Sequence, residues 1–184
     1  MIRRVDRRAA SILLAALVVA AGGFAIDRYG SRTRAIAVAT DAGAAPAGTG
    51  LANDESAQFA HQYFQQSVVM LRSGRYEYAA TALHEVLKIY PGLPEAHANM
   101  GYALIGLGQY EAATDFFQAA TDLRPTLHTA YYGLAVAEEG RGDTRAALAA
   151  MQAYAHLAAS DDPYLERAQS AMRGWESELS ERSP

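Results

Sequence analysis

Residues 94–127 read PEAHANMGYALIGLGQYEAATDFFQAATDLRPTL, and this stretch decides the fold because its pattern recurs on both sides of it. Its Gly108 lies 34 residues after Gly74 and 34 residues before Gly142. The same interval separates Pro91 from Pro125 and joins Ala79, Ala113 and Ala147. A constant period of this length predicts a stack of equivalent helical hairpins.

The middle stretch is similar to the tetratricopeptide-repeat (TPR) family. The family's signature positions are occupied here by Met100, Gly101, Leu104, Leu107, Gly108, Tyr110, Ala113, Phe117, Ala120 and Pro125. The resemblance covers residues 54–161, with repeats at 60–93, 94–127 and 128–161. It implies an all-α fold, an α-solenoid of paired helices that we name A and B within each repeat. Small residues then sit where A and B cross, glycine forms the A–B turn, and proline ends helix B.

The third repeat departs from the family pattern at Glu138, Thr144, Tyr154 and Ala159, as terminal repeats often do. Residues 162–184 follow it as a predicted capping helix and tail. An apolar stripe recurs there at helical spacing and comprises Leu165, Ala168, Met172, Trp175 and Leu179. Asp162 is the predicted cap of this helix, with Pro163 in its first turn. The stripe either closes the stack or docks a partner helix, with Trp175 as the anchor of that second interpretation.

The N-terminal segment predicts a membrane anchor. Residues 9–26 read AASILLAALVVAAGGFAI, which carries no charge and would span about 27 Å as a helix. Residues 1–8 are basic and are predicted to stay in the cytoplasm, with the repeats on the other side of the membrane. A cleaved signal peptide is the alternative. Residues 27–53 are poor in large apolar side chains and predict a flexible linker.

Charge is distributed unevenly along the chain. Residues 1–34 contain seven arginines and two aspartates, a net charge of +5. The remaining residues contain nine basic and eighteen acidic side chains, a net charge of −9. An acidic body repels phosphate backbones, so nucleic acid is not an expected partner.

The sequence contains no recognisable catalytic or cofactor chemistry. There are no cysteines, which excludes thiol catalysis and cysteine-ligated metals. The five histidines include no pair at the i, i+4 spacing of a helical metal site, and no phosphate-binding or nucleophile motif is present. We therefore expect no enzyme activity, no metal and no cofactor.

The family resemblance implies that the A helices line a concave groove for a partner segment. The groove positions are Phe64, Val68, Arg72, Asn99, Tyr102, Ile105, Tyr132, Val136 and Glu139. Asn99 matches an asparagine of the subclass that clamps a terminal carboxylate. The basic residues of that clamp are missing, since Phe64, Thr129 and Gly133 occupy their places, so the groove suits an apolar peptide or amphipathic helix. In the alternative interpretation, the aromatic groove residues pack within the stack.

Two functional hypotheses follow. The first is an interaction scaffold or chaperone-like assembly factor, held at a bacterial inner membrane by a single span with its repeats in the periplasm. The second is a permanent accessory subunit of a membrane complex, docked through the membrane helix itself. Oligomeric state does not follow from the sequence.

Overall fold

The computed structural model describes the backbone of residues 49–181 and the side chains of residues 55–181. The predicted basic N-terminus, membrane helix and most of the predicted linker lie outside the described residues. Within the described part, none of the helices is both long and apolar enough to cross a bilayer.

The described residues form an all-α solenoid of three helical hairpins and a final helix. The three A helices are α1, α3 and α5, and the three B helices are α2, α4 and α6. In chain order the seven helices are α1 (Thr49–Arg72), α2 (Tyr76–Ile89), α3 (Pro94–Gly106), α4 (Tyr110–Leu123), α5 (His128–Arg141), α6 (Thr144–Leu157) and α7 (Leu165–Glu181). Each helix packs on its sequence neighbour, and consecutive A helices also contact one another.

The three predicted glycines form identical A–B turns. Gly74, Gly108 and Gly142 have φ values of 72°, 74° and 84°, in the left-handed region where a side chain is strained. In the second turn, the Gly108 amide donates to the Ile105 carbonyl at 2.9 Å, and the Gln109 amide donates to the Leu104 carbonyl at 2.9 Å. This Schellman pattern recurs at the other two glycines, so one backbone solution closes all three hairpins.

The repeats are joined through an aromatic side chain and a small residue. Phe117 of α4 is fully buried, and its ring occupies the space of a side chain at both Gly101 and Gly133. The ring of Tyr102 meets it edge-on, with centroids 4.9 Å apart. Because Gly101 and Gly133 belong to consecutive A helices, Phe117 fastens the second repeat to the third.

A second contact of this kind links each B helix to the following A helix. The Tyr76 ring fills the space beside Gly106, and the Tyr110 ring fills the space beside Gly140, 34 residues later. Gly174 of α7 continues the series at the same interval, but no atom lies within 4 Å of its potential side chain. The third repeat has Thr144 where the tyrosine would be. This departure leaves the space beside Gly174 empty.

Two predicted boundaries differ from the structure. Helix α1 begins at Thr49, so residues 49–53 are helical where the sequence predicted linker. Gly50 and the lack of large apolar side chains concealed this extension, which lies outside the 34-residue period. Helix α7 begins at Leu165 rather than directly after Asp162. A side-chain oxygen of Asp162 nevertheless accepts the Tyr164 amide at 2.9 Å, just before the helix.

Candidate functional site: the concave face of the A helices

The candidate site is the face shared by α1, α3 and α5. The B helices pack behind these three helices, and α7 packs on α6 beyond the third repeat. The hydroxyl of Tyr102 donates to the Thr129 carbonyl at 2.5 Å, which ties α3 to the first turn of α5. The A helices thus form a continuous surface with a fixed spacing.

The structure places most of the predicted groove residues in buried positions. Arg72 is exposed and Glu139 is half-buried. The buried members are Phe64, Val68, Asn99, Tyr102, Ile105, Tyr132 and Val136. All of the apolar ones belong to the continuous core cluster, and Phe64 and Ile105 have no exposed surface. Their contact with a bound partner therefore stays a prediction.

Two polar side chains on α3 are buried among these apolar ones. Asn99 is 4% exposed, and its side-chain amide nitrogen has no hydrogen-bond partner. Glu95 is 5% exposed; one carboxylate oxygen accepts from Arg124, and the other has no partner. Burying an unsatisfied polar group costs about 1–3 kcal/mol, so an idle donor and an idle acceptor destabilise the isolated fold. Together they could meet one carbonyl and one amide of a polypeptide backbone.

A tyrosine cluster occupies the C-terminal end of this face. The Tyr132 and Tyr154 rings meet edge-on at 5.2 Å, and the Tyr164 ring lies 6.1 Å from that of Tyr132. The Tyr154 hydroxyl donates to Asp162 at 2.7 Å. In the sequence, Tyr154 looked only like a departure from a small residue. The structure shows that it fills the end of the stack and anchors the segment leading into α7.

Burial changes the titration of these tyrosines. It raises the pKa of Tyr132 to about 12, and nearby carboxylates add to the effect. Burial also raises the pKa of Tyr102 well above its ordinary value. For Tyr154, burial and the hydrogen bond to Asp162 both raise the pKa. All three hydroxyls therefore stay protonated throughout the neutral range.

The tyrosine cluster predicts alkaline destabilisation. A raised folded-state pKa means that the unfolded chain releases its proton first, so stability is complete below about pH 10 and falls as the pH rises towards 12. Tyr132 alone should account for about 1.4 kcal/mol of the unfolding free energy lost between pH 9 and 11. Urea titrations at these two pH values should show a smaller loss in Tyr132→Phe by that amount.

The control for this experiment is Tyr78→Phe, because Tyr78 is 60% exposed. Its loss between the two pH values should equal that of the unmodified chain. Lys88 is the only lysine in the sequence, so few other groups titrate in this window. Equal losses in both variants would show that Tyr132 does not carry a raised pKa.

Helix α7 closes the stack rather than offering its apolar stripe to a partner. Ala168 and Trp175 are buried, and the Trp175 indole nitrogen donates to Glu139 at 3.3 Å. The interpretation of Trp175 as a free anchor for a partner helix is therefore wrong. The physical reason is that α6 would otherwise leave its own apolar face uncovered.

The described residues offer little to catalysis. Among residues 49–181, no three histidine or acidic side chains come together in a way that could hold a metal ion. A surface depression lies at the second A–B turn and is lined by Gly108, Gln109, Tyr110, Glu111, Ala112 and Arg141. It is open to solvent and sits away from the concave face.

Comparison with known proteins agrees with this architecture. Residues 70–135 match the sequence profile of a tetratricopeptide repeat. No curated protein gives a significant sequence match. The matched residues and the repeated hairpins together support the TPR family for the described part of the chain.

Solved TPR structures share the fold at low sequence identity. The first TPR of Spaghetti (RPAP3), bound to the HSP90 peptide SRMEEVD, is 18% identical with a TM-score of 0.61, covering 67% of this chain and 94% of that one. The TPR2B domain of yeast Sti1, in a complex with an Hsp70 peptide, is 17% identical with a TM-score of 0.61, covering 66% and 98%. The Yersinia enterocolitica type III secretion chaperone SycD, in complex with a peptide of the translocator YopD, is 16% identical with a TM-score of 0.59, covering 68% and 95%.

Proposed function

We propose that this TPR chain is a protein-binding scaffold that holds a polypeptide segment against its concave face. The observation that carries the proposal is the idle amide donor of Asn99, buried among apolar A-helix side chains. Three structural neighbours were solved with peptides, and this likeness supports a polypeptide as the guest.

The chemistry of the face favours an apolar or amphipathic guest. Its side chains are mostly aliphatic or tyrosine, which recognise apolar side chains through contact area. The Asn99 amide and the free oxygen of Glu95 would fix the register of the guest through its backbone. An acidic C-terminal tail is a poorer candidate, because Phe64, Thr129 and Gly133 stand where the basic clamp would be.

We further propose that residues 9–26 hold this domain at a membrane, with the repeats outside the cytoplasm. Support comes from the uncharged length of this segment and from the arginines that precede it. A scaffold at this position would assist clients that are assembled or translocated at the same membrane.

Photocrosslinking in cells tests the guest assignment. A photoreactive residue replaces Arg72, which is exposed at the end of the first A helix, in the full chain. The matched control replaces Arg173, which is exposed on α7. We expect a defined set of protein adducts from position 72 and few from position 173. Equal adducts from both positions would show that the concave face has no guest.

The same experiment separates a scaffold from a permanent subunit. A scaffold releases its guest, so adducts at position 72 should fall when an excess of guest peptide competes. A subunit docked through residues 9–26 would instead co-purify in fixed stoichiometry, with adducts that no peptide displaces.

A further inference from the structure

The concave face is more enclosed than the described helices explain. Eight apolar side chains on this face are at most 6% exposed: Phe64, Val68, Leu71, Ala98, Tyr102, Ile105, Tyr132 and Val136. The B helices lie behind the A helices and α7 lies on α6, so none of the described helices extends across the middle of the face. Burial of this extent indicates an apolar occupant.

We propose that residues 9–26 of the same chain occupy this face whenever they are not in a bilayer. This inference rests on the proposed function, because it names a guest for the same groove. It makes the groove self-occupied before membrane insertion and open to other proteins afterwards.

The dimensions of the segment fit the face. As a helix, residues 9–26 would be about 27 Å long. Three A helices spaced about 8–10 Å apart, each about 20 Å long, present a surface of comparable extent. The segment is the one stretch of eighteen uncharged, mainly apolar residues in the sequence, so it matches the groove chemically as well.

The connection and the charges favour binding within one chain. Residues 27–48 separate the segment from the start of α1 at Thr49. If they behave as the predicted linker, twenty-two residues span about 25 Å, and such a tether gives an effective concentration in the millimolar range. Residues 1–34 carry a net charge of +5 and the remainder −9, so the flanks of the segment are drawn towards the acidic body.

Occupation of the groove and insertion into a bilayer exclude each other, since both bury the same apolar side chains. The segment therefore exchanges a protein environment for a lipid one. Insertion would uncover the groove, including the idle Asn99 amide, at the membrane where a guest is to be captured.

Site-directed crosslinking of the full chain tests this proposal. The sequence contains no cysteine, so the pair Ala16→Cys and Arg72→Cys introduces the only two thiols. The chain is synthesised without lipid at low concentration and treated with a short bismaleimide. We expect an intramolecular product at least five times more abundant than in the matched pair Ala16→Cys and Arg173→Cys.

Liposomes added during synthesis should lower the yield of this product at least fivefold. An unchanged yield would overturn the exchange between groove and bilayer. Equal yields from the two cysteine pairs, or crosslinked dimers in place of the intramolecular product, would overturn the intramolecular occupant. If cellular adducts at position 72 persist in that case, the proposed function stands alone; if they are absent too, both proposals fail.

Discussion

Replacing Phe117 with alanine is expected to lower the free energy of unfolding by about 3–5 kcal/mol. The ring is fully buried and packs against Gly101 and Gly133, which belong to two consecutive A helices. Its loss leaves a cavity at the junction of the second and third repeats and removes the edge-on contact with Tyr102. Since a domain is stable by only about 5–15 kcal/mol, this is a large share of the total.

Urea denaturation monitored by circular dichroism measures this effect. The matched control is Phe59→Ala, because the Phe59 ring is 54% exposed on α1. That substitution should change stability by no more than about 0.5 kcal/mol. A loss below 1 kcal/mol for Phe117→Ala would contradict its role as the link between repeats.

Alanine at Gly140 and alanine at Gly174 are expected to act in opposite directions. Both glycines occupy the same phase of the 34-residue period, and both lie inside helices. A methyl group at Gly140 would overlap the Tyr110 ring, including Cγ, the atom nearest the backbone, so the ring cannot simply swing aside. Overpacking of this kind costs about 1–3 kcal/mol. At Gly174 nothing lies within 4 Å, so alanine adds about 1 kcal/mol of helix propensity without a clash.

The comparison isolates packing, because the gain in helix propensity is common to both sites. Thermal or urea unfolding of the two variants should therefore differ by about 1–3 kcal/mol, with Gly140→Ala the less stable. Equal stabilities would mean that Tyr110 yields easily and that the aromatic contact between repeats is not rigid.

The repeat architecture was predictable from the sequence because its determinants are local. Gly74, Gly108 and Gly142 mark the turns through their backbone conformation, and Pro91 and Pro125 follow the B helices directly. The periodicity also contained a signal that was overlooked. Gly174 continues the series of Gly106 and Gly140, which identifies α7 as an A-type helix rather than an unrelated cap.

The candidate site was only partly predictable, because burial depends on neighbours that a repeat pattern does not specify. The pattern gives the face on which Tyr102 and Tyr132 lie, but it does not show that both are nearly inaccessible. The bond from Tyr154 to Asp162 joins residues on either side of a loop, and the bond from Trp175 to Glu139 joins helices α7 and α5. No spacing rule could supply either contact.

The central claim is that the concave face is built to hold a guest, and Asn99→Ala tests it most directly. The amide of Asn99 has no partner within the fold, so its removal should leave the unfolding free energy unchanged or higher. The same substitution removes one hydrogen bond to a guest, worth about 1 kcal/mol, and should lower the yield of adducts at position 72 about fivefold. A loss of stability above 1 kcal/mol with an unchanged adduct yield would show that Asn99 serves the fold and not a guest.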